Sequence, residues 1–171
     1  AFANKLFSGN PAAVCILNDW LPDDVMQSIA MENNLSETAF LVKKNKAFYI
    51  RWFTPLKEIQ LAGHPTLAAA HIIFSETRYS RDTIEFYTNS NEHLLVSKKG
   101  NILFMDFPSI PTKKINLSHS KIKNALGKTS QNIFLGNYGM IVLDKEKDVL
   151  EVEPNYTEIN KLPFEGVIVT A

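Results

Sequence analysis

The chain is 171 residues long, 45% hydrophobic and 21% charged, the make-up of an ordinary soluble globular protein with room for one average domain or somewhat more. Lysine plus arginine equals aspartate plus glutamate at 18 each, so no surplus of positive charge exists to displace counterions from a nucleic acid or to hold an anionic membrane, which argues against both partners. No apolar run approaches membrane-spanning length, and the lone Cys15, set in "AAVCIL" without a basic neighbour, reads as a buried strand thiol in a reducing, cytoplasmic setting.

The opening, "AFANKLF", has neither a charged leader region nor an initiating Met, so the chain is expected to begin a few residues inside its gene product. "PAAVCIL" follows as an apolar strand. "LPDDVMQSIAMENN" predicts a helix, with Pro22 near its first turn, Asp23 and Asp24 at its positive end, and Val25, Met26, Ile29 and Ala30 on one face. "ETAFLV" and "AFYIRWF" read as strands joined across the polar turn "KKNK". After an apolar helix that starts at Pro65, "TIEFYT" and "HLLVS" read as two more strands, and the turn "KKGN" leads into "ILFMDF". The stretch from Pro108 to Asn116, with two prolines and two lysines, reads as a linker. Strands outnumber helices and most connections are short enough for antiparallel neighbours, which is an α+β pattern.

Comparison of the chain with itself leads us to expect a repeat. "LFSGNPAAVCIL" near the start and "IFLGNYGMIVLD" from Ile133 share Phe-x-Gly-Asn ahead of an apolar strand, so that Phe7, Gly9, Asn10, Val14 and Ile16 match Phe134, Gly136, Asn137, Ile141 and Leu143. "LPDDVMQSIA" and "TAFLV" then have counterparts in "EPNYTEINKL" and "GVIVTA", after what reads as an extra hairpin around "DKEKDV". The division expected from this is a first domain over 1–112 with a central helix at 65–75, a linker and helix over 113–132, and the start of a second, similar domain over 133–171, which stops before its equivalent of "AGHPT".

Two stretches hold the candidate functional residues. In "LAGHPTLAAAHIIF" the helix after Pro65 has almost no polar face, which marks it as buried. Its N-terminus is then buried too, and free backbone N–H groups at the positive end of a helix dipole need an anion or a cap. Gly63 would let the backbone approach a ligand and His64 would supply a ring donor or acceptor, together a site for a carboxylate. The alternative is that Gly63 makes a tight turn and His64 caps the helix. In "NNLSETAF", Glu37 opens a strand beside apolar residues, where loss of hydration favours a carboxyl that exchanges protons near neutral pH; the alternative is a solvated loop Glu.

"FSGNPAAV", "NLSETAFL" and "FTPLKEIQLAGHPTLAAAHIIF" stand in the order and spacing of the phenazine biosynthesis-like PhzF family, relatives of diaminopimelate epimerase, and the chain resembles that family over roughly residues 1–110 strongly and 133–171 weakly. The resemblance implies a diaminopimelate epimerase-like fold, a β-barrel-like sheet around a central helix, pseudo-duplicated in two domains with the second incomplete here. It places the active site in a cleft between the N-termini of the two central helices. Where diaminopimelate epimerase has a cysteine before such a helix this chain has Ala62, so a two-thiol racemisation is not expected. The resemblance implies instead that Glu37 is a general acid/base that takes a proton from one carbon of a small cyclic carboxylic acid and returns it at another, with no metal and no organic cofactor. Gly63 and His64 would bind and orient the substrate, and Asn10 would line the same cleft. The family's Asp-Pro-x-Thr-Gly-Ser motif does not occur in this sequence, so that half of the site is expected beyond Ala171. A homodimer is also implied.

A reading from another class is a binding or regulatory protein that keeps the cleft without turnover. Elsewhere, His71 reads as a hydrogen-bonded core histidine, His93 and His119 stand without acidic or Cys partners at ligand spacing, and no Gly-rich phosphate loop is present.

Overall fold

A computed structural model describes the whole chain except Asn4, Leu6, Asn91 and Pro108. Pro108, with which the expected linker begins, thus lies outside the described residues. The chain forms two compact units, Ala1–Phe107 and Pro108–Ala171.

In the first unit, strand β1 (Ala13–Leu17) leads into helix α1 (Asp23–Asn33), which starts directly after Pro22 and ends on Asn34 in the left-handed region. Met26 and Ala30 are buried as the helical spacing predicts, whereas Val25 points outward and is 39% exposed. Strands β2 (Thr38–Lys44) and β3 (Ala47–Phe53) form an antiparallel hairpin across the "KKNK" turn, where Asn45 takes a positive φ. The two-residue β4 (Glu58–Ile59) pairs with the end of β3 and delivers the chain to helix α2 (Gly63–Glu76). Strands β5 (Thr83–Tyr87), β6 (His93–Lys99) and β7 (Ile102–Asp106) complete the sheet, with Gly100 at φ 60° in the last turn. The order is β1-β2-β3-β5-β6-β7, parallel at β1/β2 and β3/β5 and antiparallel elsewhere, with β4 off the path beside β3.

This sheet wraps around α2. Every strand on the path places a residue in the cluster that surrounds Ala69, Ala70 and Ile73: Val14, Leu41, Trp52, Phe86, Val96 and Met105 in turn. The end strands β1 and β7 both touch the helix, as they must if the sheet curls. On the other face of β2 and β3, Met26 and Ala30 of α1 cover Phe40 and Phe53, whose rings meet edge to face at 5.5 Å. Covered on both sides, β2 shows no alternation between Thr38 and Val42, all buried. Arg51 joins the layers: its guanidinium bonds Glu58 through two nitrogens (2.6 and 2.7 Å) and Asp23 of α1 (2.8 Å), and it lies over the Phe53 and Trp20 rings. Hydrogen bonding to Arg51, and then its charge, hold the Asp23 carboxyl below the ordinary carboxylate range.

The helix expected to have no face for water has one half-open flank. Leu67, Ala68, His71 and Ile72 line a cavity of about 690 Å³ together with Ala12 and Val14 near β1 and Ile102 and Leu103 of β7. His71 is exposed there, not a hydrogen-bonded core histidine. The reason is geometric: the curled sheet covers α2 from the β2, β3, β5 and β6 side, and between its two end strands nothing among the described residues pairs across.

The second unit holds strands β8 (Lys113–Ile115), β9 (Asn132–Leu135), β10 (Gly139–Val142) and β11 (Val167–Thr170), in the order β11-β10-β9-β8. Residues 113–115, inside the stretch read as a linker, pair with β9. Helix α3 (His119–Leu126) buries Ile122, Ala125 and Leu126 against Ile133 and Ile141 of the sheet. The repeat has a structural counterpart: β1 and β2 are parallel neighbours joined through α1, and β10 and β11 are parallel neighbours joined through the short helices α4 (Glu146–Leu150) and α5 (Tyr156–Ile159). The "DKEKDV" stretch is therefore no hairpin. Its acidic Glu146 and Asp148 fall in the first turn of α4, at the end where the helix dipole favours negative charge. Among the described residues no helix is long and apolar enough to cross a membrane.

Candidate active site

Glu37 is the last residue of the loop between α1 and β2, and its position is tightly set. Asn34 closes α1 in the left-handed region, and the Asn33 side-chain amide donates to Thr38 Oγ1 (3.1 Å), tying the helix end to the first residue of β2. Thr38 pairs with Phe53, and Phe53 pairs with Glu58 just ahead of α2. The start of β2 and the start of α2 therefore lie at the same end of the sheet, and Glu37 meets His64 there although they are far apart in sequence.

Glu37 Oε2 lies 3.2 Å from His64 Nε2, with the two side chains 18% and 10% exposed. Proximity here is not a hydrogen bond. The His64 Nε2–H is aligned with the Pro11 carbonyl oxygen (3.3 Å), and Glu37 Oε2 is buried without any hydrogen-bond partner among the described residues. A buried carboxylate oxygen left open in this way is costly unless something else occupies it. On the far side of the ring, Asn10 Nδ2 approaches His64 Nδ1 (3.4 Å), and Ser36 Oγ donates to Asn10 Oδ1 (3.0 Å). Gly9 precedes Asn10 at φ 80°, with the Ala1 carbonyl packed where a Cβ would go, and the Asn10 N–H donates to that carbonyl (3.0 Å).

Gly63 and His64 are the first two residues of α2, and Ala62 precedes them in extended conformation with no side-chain cap on the first turn. His64 is thus not the cap that one sequence reading allowed, and Gly63 has no positive φ that a tight turn would require. A Cβ on Gly63 would rest in ordinary contact with the Phe107 ring (3.6 Å) and Met105 (3.9 Å). Nothing inside the first unit therefore demands glycine there. Uncapped N–H groups at the start of a helix, with its positive dipole end, suit an anionic oxygen.

All four residues singled out in the sequence, Asn10, Glu37, Gly63 and His64, come together at this one place. Ser36 and the Pro11 carbonyl were missed; both sit next to a residue already chosen, but their roles depend on loop conformation that no residue pattern encodes. Two cavities of the first unit, of about 690 and 310 Å³, are lined by other residues. Among the described residues no group of three or more His, Cys, Asp or Glu is placed to hold a metal.

The chain as a whole, residues 1–171, matches the family model described as phenazine biosynthesis-like protein, PhzC-PhzF. It belongs to the PhzF family. A relative in Pseudomonas aeruginosa, called an uncharacterized isomerase, is 41% identical over 173 residues, covering 100% of this chain and 65% of its own. A crystal structure of a PhzF family phenazine biosynthesis protein from Enterococcus faecalis superposes with a TM-score of 0.91 at 42% identity, covering 99% of this chain and 65% of that one. A structure from Pseudomonas aeruginosa described as a predicted epimerase shares the fold, with a TM-score of 0.69 at 18% identity over 98% of this chain and 66% of that one. The PhzF chain here thus spans about 65% of the length of the first two. Its α+β architecture, a sheet curled around a central helix, is the diaminopimelate epimerase-like fold that the sequence led us to expect.

Proposed function

We propose that the protein is an isomerase of the PhzF type, which moves a proton between two carbons of a small cyclic carboxylic acid with Glu37 as general acid/base. The observation that carries this reading is the buried, unpartnered Glu37 Oε2 beside His64 at the open N-terminus of α2. The name of the relative in Pseudomonas aeruginosa, an uncharacterized isomerase, supports the reaction class.

The chemistry follows from what a carboxylate can do unaided. It can remove a proton only from a carbon whose C–H electrons have somewhere to go, so the substrate carries a double bond conjugated with its carboxylate. Glu37 Oε2 takes the proton, the C–H pair becomes part of a shifted π system, and the resulting Glu37 carboxylic acid gives the proton to the carbon at the other end of that system. One C–H bond breaks, one forms, and nothing is oxidised or reduced. Gly63 and His64 bind the substrate oxygens: their backbone N–H groups and the helix dipole meet negative charge as it builds up, and no reorganisation is needed during the reaction. Asn10 lines the same cleft, behind the His64 ring. A homodimer in the cytoplasm, with a small carboxylate as its partner, completes the reading.

The test is solvent exchange. Full-length protein is incubated in D2O with a panel of small unsaturated cyclic carboxylic acids, and uptake of deuterium at ring carbons is followed by NMR. Uptake by at least one member of the panel is expected, with weaker binding of that acid to His64→Ala. Binding of these acids without any exchange would favour a non-catalytic binding protein on the same scaffold.

A further inference from the structure

The two contacts of the His64 ring agree on where its proton sits. The Asn10 side-chain nitrogen at Nδ1 has only hydrogens to offer, so Nδ1 must present its lone pair; the Pro11 carbonyl at Nε2 has only lone pairs, so Nε2 must present its hydrogen. Both contacts come from consecutive residues of one segment, Asn10 and Pro11, which bracket the imidazole on its two sides. Ser36 Oγ donates to Asn10 Oδ1 and so turns the amide with its NH2 toward the ring.

From this arrangement we infer that Asn10 is a positioning residue that fixes His64 as the neutral Nε2–H tautomer, with Ser36 orienting Asn10. The inference rests on the reading of Glu37 and His64 as the reacting pair and deepens it, because it assigns His64 one role and denies it another. With Nδ1 engaged by Asn10, and with Nε2 carrying the hydrogen that the Pro11 carbonyl accepts in the free protein, His64 has a hydrogen to share with a substrate oxygen that arrives beside Glu37 Oε2 but no lone pair with which to act as a second base. Among the described residues at this place, Glu37 is the carboxylate, and its Oε2 is left open for a carbon-bound proton. A ring free to exchange tautomers would present a lone pair at Nε2 for part of the time, facing the Glu37 carboxylate and repelling the substrate oxygen. Asn10, placed among the substrate-binding residues by its motif, thus acts through His64.

The tautomer can be read without any substrate, so its test stands apart from that of the activity. Protein labelled with ¹⁵N-histidine is studied by long-range ¹H–¹⁵N correlation at neutral pH, and the His64 ring signals are assigned by their disappearance in His64→Gln. Expected is the pattern of a neutral ring protonated at Nε2. Asn10→Asp replaces the donor by an acceptor and should move a proton onto Nδ1, Asn10→Ala should give averaged signals from both tautomers, and Ser36→Ala should fall between Asn10→Ala and the wild type. A native ring protonated at Nδ1, or an unchanged His64 pattern in both Asn10 variants, would overturn the inference. If the tautomer is as expected but no acid exchanges deuterium, the positioning stands and the isomerase reading fails.

Discussion

Ile72 and Ile73 allow a sharp test of how α2 sits in the sheet, because they are the same residue type on adjacent positions of one helix. Ile73 is fully buried in the cluster around α2, whereas Ile72 is half-buried and lines the cavity between β1 and β7. Substitution by Ala changes helix propensity equally at both, so that term cancels in the comparison. Ile73→Ala removes three carbons at roughly 0.8 kcal/mol each, about 2.4 kcal/mol of transfer free energy. The cavity left among Trp52, Phe86 and Val96 raises the cost to about 3–4 kcal/mol. At Ile72 much of the side chain already faces open space, so the loss should be about 1–2 kcal/mol. Urea unfolding followed by tryptophan fluorescence is the assay, since the chain has 2 tryptophans, Trp20 and Trp52, and both lie in the first unit. With a slope of about 1–3 kcal/mol per molar urea, the Ile73→Ala midpoint should fall by about 1–4 M. Equal losses at the two positions, or a larger one at Ile72, would show that the sheet does not enclose α2 from the side described.

Two further outcomes follow from single contacts. Arg51 holds the folded pKa of Asp23 below its unfolded value near 3.8, so this pair stabilises fully above that pH and is lost as pH falls through the folded value. The stability difference between wild type and Asp23→Asn should therefore be full at pH 7 and shrink as the pH is lowered below about 3.8, and a difference that does not change with pH would contradict the pairing. In the second unit, a Cβ on Gly139 would clash with the Phe164 ring, so Gly139→Ala should cost about 1–3 kcal/mol and speed amide exchange across β10 and β11. Unchanged protection there would mean that Phe164 does not pack on β10.

Much of this fold was legible because its strongest signals are local. β2 and β3 are long apolar runs bounded by a polar turn, and burial on both faces is what makes them continuous. The composition of α2 revealed a buried helix, but not which neighbours bury it, and so the open flank at Leu67 and His71 could not be read. α4 escaped for the opposite reason: five charged and apolar residues are too few to show a helical period, and the same residues suit a turn. At the site, Glu37, Gly63 and His64 stood out by residue type and motif. The links through Ser36, Asn10 and Pro11 did not, because they depend on how two loops fold against each other.

Glu37 stands at the centre of the proposal, and one substitution tests it most directly. Glu37→Gln keeps the shape of the side chain and its hydrogen bonding but removes the exchangeable proton. The measurement is the rate of solvent deuterium uptake into a bound cyclic carboxylic acid by full-length wild-type and Glu37→Gln protein, with binding of the same acid followed by calorimetry. A general acid/base is worth about 100-fold or more, so uptake should fall by at least that factor while the dissociation constant stays within a few-fold of the native value. Uptake by Glu37→Gln at the native rate would show that another group moves the proton and that Glu37 has no part in the chemistry.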